Sequence, residues 1–163
     1  MEQVTLHPPA RDELGYRARL LSDADTMSYN APWSEDGTGR IFLTCEQAGE
    51  WYRRHVETGV YYAYIIVDGR PVGEVNINPD GSIGVVVEAM HRGKGYGKQA
   101  LRLLCGKAFC ELGLNEITDN FGTERVAAER LFSDVGFERV TPALVRLTRE
   151  KYLTSVDGLR RQL

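Results

Sequence analysis

The rhythm of apolar and polar positions changes along the chain, and each change predicts an element. Val4 to Leu6 alternates weakly and predicts a first strand; Arg11 to Leu21 predicts a helix. Ser22-Asp23-Ala24-Asp25 then reads as a polar turn. Tyr29 to Gly39 holds Pro32, Gly37 and Gly39 among Ser, Glu and Asp, which predicts a loop. Thr44 followed by Gln47 forms a capping-box pattern, so a second helix starts there, runs to about Glu57 and stops at Gly59. Three strands follow. Tyr61 to Val67 is β-branched and aromatic, and Asp68-Gly69 is a hairpin turn signal. Pro71 to Asn78 alternates, with Val75 and Ile77 on one face and Glu74, Asn76 and Asn78 on the other. After the turn Pro79-Asp80-Gly81, Ser82 to Val87 is apolar on both faces and predicts a central, fully covered strand.

From Gly95 the period becomes helical. Leu101, Leu104, Ala108 and Leu112 share one stripe, and Gly113 supplies the stop. Glu116 to Phe121 predicts a short strand, Glu124 to Asp134 a helix ending near Gly136, and Phe137 onward a strand pair broken at Thr141-Pro142. The segment from about 153 to 163 reads as a loose tail. The order gives an α+β fold: a mixed, mostly antiparallel sheet of six or seven strands with about four helices and one strand–helix–strand crossover. That crossover predicts Ser82–Val87 and Glu116–Phe121 as parallel neighbours that diverge at one end.

Composition narrows the picture. The 163 residues suit one domain spanning the chain. A net charge of -3 gives no electrostatic reason to expect nucleic acid or an anionic membrane as partner. The first residues lack a basic region followed by an apolar run, so no secretory signal is expected. No stretch approaches the roughly 20 apolar residues of a membrane helix. Cys45, Cys105 and Cys110 show no metal-ligand spacing and leave one unpaired; they read as reduced core thiols of a cytoplasmic protein. His7, His55 and His91 are scattered, so no metal site is expected.

The segment most informative about chemistry runs from Val85 to Lys98. A buried strand leads into a turn carrying Gly93, Gly95 and Gly97, and the turn opens an amphipathic helix. Alternate glycines keep side chains away, so successive backbone N–H groups can converge on an anion. The helix N-terminus adds unpaired donors and partial positive charge. Arg92, Lys94 and Lys98 add full charges. Such a site suits a pyrophosphate; the bland alternative is a glycine-rich helix start that binds nothing. A P-loop fails twice, since Arg92 holds the first glycine's place and Gln99 the last position. A dinucleotide fingerprint is matched by Gly95, Gly97 and Ala100, with Glu116 at about the right distance. That fold, however, normally opens with this unit and continues with parallel strands.

The segment instead resembles the coenzyme A-binding motif of the GNAT (Gcn5-related N-acetyltransferase) superfamily, Gln/Arg-x-x-Gly-x-Gly/Ala. Arg92, Gly95 and Gly97 fill its fixed places. Leu20 to Met27 is similar to the family's first helix-to-helix region, Ala108 to Ile117 to its helix-to-strand passage, and Ala128, Leu131, Gly136 and Phe137 to its second motif. The resemblance covers roughly residues 4 to 147. It is nearest the branch of ribosomal-protein N-terminal and diamine acetyltransferases.

The resemblance implies an acetyl-CoA-dependent N-acetyltransferase in which an amine attacks the thioester directly. The acceptor would be a small-molecule amine or a peptide N-terminus; a homodimer is compatible with this reading. Backbone groups of Val85 and Val87 would pair with the pantetheine arm. Arg92, Gly93, Lys94, Gly95, Tyr96, Gly97 and Lys98 would hold the pyrophosphate, and Arg125 and Phe132 would lie at the cofactor. Two departures bear on the chemistry. Where many members have a tyrosine that protonates the thiolate, this chain has Phe132; where an asparagine is common seven residues earlier, it has Arg125. Where many members open the cofactor strand with a glutamate, it has Ser82. Glu74 is then the best base candidate, its bland alternative being a solvated carboxylate on a half-exposed strand. Glu88 reads as structural. Tyr29, Trp33, Glu35 and Asp36 form a candidate substrate loop, since acidic and aromatic groups suit a cationic amine. The rival function is a non-catalytic acyl-CoA-binding module.

Overall fold

The computed structural model describes residues 2–160. A first strand, β1 (Val4–His7), leads through a single 3-10 turn to α1 (Gly15–Ser22) and the short α2 (Ala24–Met27). A 3-10 segment over Ser28–Trp33 follows, then α3 (Cys45–Tyr52). Next come β2 (Tyr61–Val67), β3 (Arg70–Ile77) and β4 (Ile83–Val87), then α4 (Tyr96–Gly106). The chain continues through β5 (Glu116–Asn120), α5 (Val126–Val135), β6 (Glu138–Thr141), β7 (Leu144–Thr148) and α6 (Arg149–Arg160).

The seven strands form two sheets, β1-β2-β3-β4 and β5-β7-β6, each antiparallel throughout. Among the described residues they are joined by one parallel bridge, Ser82 to Thr118, where the Thr118 amide donates to the Gly81 carbonyl at 3.1 Å. The expected parallel neighbours therefore meet at one end and part beyond it. The β2–β3 hairpin turns at Asp68-Gly69, both at positive φ (50° and 72°), as a tight turn matched to strand twist requires.

Strand alternation sorts the core into two layers. Ala63, Ile65 and Val67 of β2, with Val75, Ile77 and Ile83, pack against Leu101, Leu104 and Phe109. The opposite face carries Tyr62, Tyr64 and Val86 against Tyr16 and Leu20 of α1 and Trp51 of α3. Phe132 of α5 is 4% exposed and sits among aromatics, 5.1 Å from the Phe121 ring and 4.9 Å from that of Phe137.

Several expectations are corrected. The helix from Arg11 begins as a 3-10 turn, Arg11–Glu13, before α1. The polar turn after Ser22 is the start of α2: Asp23 accepts from the Thr26 amide at 3.1 Å and caps it. The helices from Thr44 and from Gly95 end in π turns, Arg53–Glu57 and Lys107–Glu111. The predicted capping box is present, with the Gln47 amide donating to Thr44 Oγ1 at 3.1 Å and the Thr44 amide to Gln47 Oε1 at 2.9 Å. β4 is not fully covered: Ile83 is buried, but Val85, Val86 and Val87 are half-buried, because the neighbouring strand has turned away. The expected tail is helical from 153 to 160, within α6, whose Tyr152 ring lies 5.1 Å from that of Phe109; residues 161–163 lie outside the described residues. Only Cys105 is a core thiol, since Cys45 and Cys110 are exposed. No helix among the described residues is long and apolar enough to cross a membrane.

The aromatic trio fixes α5 to the second sheet. Phe132→Ala should cost about 3–5 kcal/mol of stability, the usual loss for a buried aromatic, measured by urea denaturation. A loss below about 1 kcal/mol would show that Phe121 and Phe137 close the gap.

Candidate active site

β4 presents one bonded edge and one free edge. Toward β3, the Asn78 amide donates to the Ser82 carbonyl at 2.8 Å and the Glu88 amide to the Val72 carbonyl at 2.9 Å. Backbone groups alternate along a strand, so Val85 and Val87 turn theirs the other way, into the space opened by the departure of β5. Ser82, at the place of the family's glutamate, is tied into its turn: its hydroxyl donates to Asp80 at 2.6 Å and accepts from the Asn78 amide nitrogen at 3.0 Å.

The chain leaves β4 through a 3-10 turn, Ala89–His91, and enters α4 through two residues in the left-handed region, Gly93 (φ 78°) and Gly95 (φ 82°). A side chain would be strained at either position. Gln99 donates to the Gly95 carbonyl at 3.2 Å, which leaves the amides of Tyr96, Gly97 and Lys98 without helical acceptors. A Cβ on Gly93 or Gly95 would meet nothing within 4 Å, whereas one on Gly97 would touch Val87 and Leu131 at 3.5 and 3.6 Å. The first two glycines shape the loop; at the third a methyl would only make ordinary contact with Val87 and Leu131.

The charged side chains divide their roles. Arg92 Nε donates to the Val87 carbonyl at 3.0 Å and Nη2 to the Thr26 carbonyl at 2.9 Å. The Ala89 amide donates to Thr26 Oγ1 at 3.0 Å. Arg92 thus braces the loop against α2. Lys98 pairs with Asp134 at 2.7 Å. Lys94 is exposed and makes no ion pair among the described residues. Tyr96 turns its ring inward and its hydroxyl donates to Glu2.

On the α1 face, the Glu74 carboxylate accepts from the Tyr62 hydroxyl and lies 3.6 Å from Arg17 Nε. The Arg17 guanidinium stacks 3.7 Å over the Trp51 ring. Burial raises the Glu74 pKa, partly offset by Arg17 and Tyr62. Glu74 is therefore not a solvated strand residue. Arg17 Nε and Nη1 and the Tyr16 hydroxyl are buried without hydrogen-bond partners. Glu88 contacts His91 at 3.4 Å.

Across the opening, Arg125 stands at the N-cap of α5 with its guanidinium 5.2 Å from the Tyr29 ring and 5.9 Å from the Phe121 ring. Burial pushes the Asp119 carboxyl on β5 up to about 6, against the opposing pull of the Asn120 amide and Arg125. Burial raises the Tyr29 pKa most; Glu74 and Asp119 add to the rise, and Arg125 and Arg17 oppose it. Trp33, Glu35 and Asp36 line a separate groove with Asn30, Arg40 and Phe42, which Tyr29 does not line. Trp33 is 83% exposed there, and Asp36 is engaged by the Thr38 amide at 3.0 Å. The structure thus brings Tyr29 and Arg125 together, sets Glu74 against Tyr62 and Arg17 on the α1 face, and leaves Trp33, Glu35 and Asp36 in a separate groove. Sequence reasoning missed Arg17, Thr26 and Asp119; Thr26 carried a signal, the cap Asp23 three residues before it.

Residues 3–138 match the family described as Acetyltransferase (GNAT) domain. No match was found among curated proteins. Solved structures share the fold. Spermidine N-acetyltransferase from Vibrio cholerae, in complex with CoA and spermine, superposes with a TM-score of 0.72 at 20% identity, over 93% of this chain and 98% of that one. An acetyltransferase (GNAT family) from Bacillus anthracis gives 0.71 at 16% identity, over 92% and 99%. Aminoglycoside acetyltransferase AAC(6')-Ib, in complex with coenzyme A, gives 0.70 at 20% identity, over 94% and 99%.

The loop geometry generates a binding prediction. Acetyl-CoA should raise the melting temperature, because a ligand held only by the folded state stabilises it. Gly95→Glu should abolish that rise by straining a φ of 82° and setting a negative charge among the free amides. An undiminished rise in the variant would place the cofactor elsewhere.

Proposed function

This chain belongs to the acetyltransferase (GNAT) domain family, and on that premise we propose how its site carries out the transfer. It uses acetyl-CoA as cosubstrate to acetylate an amine. The observation that carries the reading is the free edge of β4 running directly into the exposed amides at the start of α4. Backbone groups of Val85 and Val87 pair with the pantetheine arm as a neighbouring strand would. The amides around Gly95, Tyr96 and Gly97, the α4 N-terminus and Lys94 hold the pyrophosphate. Arg92 acts on this site by bracing the loop.

The acceptor is a primary amine of a small molecule or a peptide N-terminus. It approaches from the α1 face and attacks the thioester directly: the C–N bond forms, the C–S bond breaks, and the amine's proton leaves. Glu74 takes that proton, directly or through water. Its raised pKa strengthens it as a base. Proximity and orientation in the opening supply much of the acceleration. The three free cysteines suit a reducing cytoplasm. An assay over a panel of amines, following release of free coenzyme A, tests the reading. Acetyl-CoA binding without release for any amine would instead support a binding module.

The base assignment has its own test. A base must be deprotonated, so kcat/KM falls as pH drops through its pKa, here above the ordinary carboxylate range. With an alkylamine acceptor, Glu74→Gln should lower kcat by about 10²-fold and remove that acidic limb, while acetyl-CoA affinity changes little. Asp119→Asn should keep the limb. If instead the limb lies near the Asp119 value of about 6 and vanishes in Asp119→Asn, the base is Asp119.

A further inference from the structure

Resting on the transferase reading, we infer that the hydroxyl of Tyr29 is the general acid that protonates the departing coenzyme A thiolate. The need is plain from α5. Phe132 has no proton to give, and its ring is 4% exposed between Phe121 and Phe137. The departing thiolate must then take its proton from another side chain or from water.

Tyr29 is held from two sides. Three residues before it, Thr26 is fastened to the end of the cofactor strand: its Oγ1 accepts from the Ala89 amide at 3.0 Å, and its carbonyl accepts from Arg92, which also holds the Val87 carbonyl. Thr26 to Tyr29 is helical backbone, α2 running into a 3-10 segment, so Tyr29 rises only about 5 Å beyond that anchor. On the far side, Arg125 sets its guanidinium 5.2 Å from the Tyr29 ring. The Thr26 anchor belongs to the β4 side and Arg125 to the start of α5, so Tyr29 stands between the two.

The other tyrosines are committed or distant. Tyr52 donates to the Pro9 carbonyl, Tyr62 to Glu74, Tyr64 to the Glu13 carbonyl and Tyr96 to Glu2. Tyr16 is 7% exposed with a sealed hydroxyl. Tyr61 lies under Lys107 on the α4 face and Tyr152 against Phe109. Tyr29 is 41% exposed, and its surroundings keep the phenol protonated at neutral pH.

The step balances. The acceptor nitrogen forms its bond to the acetyl carbon, and the C–S electron pair goes to sulfur. The Tyr29 proton follows it, giving the free thiol. Arg125 stabilises the phenolate until solvent returns a proton, and the acceptor's own proton leaves through the base.

The test exploits the leaving group. With acetyl-CoA, Tyr29→Phe should lower kcat by about 10²-fold with little change in KM for acetyl-CoA or in the acetyl-CoA-induced melting shift. With 4-nitrothiophenyl acetate, whose thiolate is a weak base and leaves unprotonated, the variant and wild type should give kcat/KM within about threefold. Equal losses with both thioesters would overturn the proposal and make Tyr29 a contact for the amine. A wild-type kcat with acetyl-CoA in the variant would overturn it as well. Failure of the wild type to release coenzyme A with any amine would overturn the transferase reading, and this one with it, and is distinguished because it appears before any substitution.

Discussion

The free edge of β4 is the constraint around which the rest of the structure is arranged. A strand buried on one side cannot leave backbone donors and acceptors unpaired without cost, and an open edge invites pairing with any extended chain. Here the edge is open because β5 meets β4 only at the Ser82–Thr118 bridge. β5 draws its ladder instead from β7, in register from Glu116–Thr148 to Asn120–Leu144. The half-burial of Val85 and Val87 follows from the same departure. One free edge thus goes with a pair of antiparallel sheets and an incompletely covered apolar strand.

A slot is useful only if its rim keeps its shape, and a network of polar contacts does this. Asp23 caps α2 through Thr26, and the hydrogen bonds from Thr26 hold the Asp23 carboxyl below its ordinary pKa. Thr26 is fully buried and holds the turn after β4 with both its hydroxyl and its carbonyl. The guanidinium of Arg92 bridges that carbonyl to the end of β4. Charge-assisted bonds to carbonyls are directional, so Arg92 fixes the glycine loop against α2. The arginine that the motif suggests for phosphate is here also the brace that positions the amides.

The pattern of apolar residues carried the strands well because alternation is a strong constraint once one face is buried: β2, β3 and the Asp68-Gly69 turn appear where periodicity puts them. The glycine-rich helix start was legible for a similar reason, since positive φ at Gly93 and Gly95 demands that residue type. The errors came where tertiary contacts outweigh local signals. α2 is one turn held by its cap and by Arg92, too short to show a period. α6 has few apolar residues and docks through Tyr152 on Phe109. Asp119 was invisible as a perturbed carboxyl because its burial depends on how β5 turns from β4. Trp33, Glu35 and Asp36 share the composition expected of a cation site, and the structure sets them along a groove with Asn30, Arg40 and Phe42.

The polar cluster on the α1 face is better explained by chemistry than by stability. Glu74 and Arg17 each keep 14% of their side-chain area exposed, and their 3.6 Å separation is too long for a good charge-assisted bond. Two guanidinium nitrogens and one phenol nearby are buried without a hydrogen bond. Desolvation of such a pair commonly offsets its attraction, and apolar replacements of the same shape are often as stable. Tyr62, Tyr64, Trp51 and Leu20 would supply an apolar lining on their own. Against that background an under-satisfied carboxylate beside a stacked arginine is a poor stabilising device. It is a suitable way to hold a base with a raised pKa next to a cation that limits how far it rises. A carboxylate so placed binds a proton more readily than a solvated one, which suits it to take a proton from an amine and pass it to water.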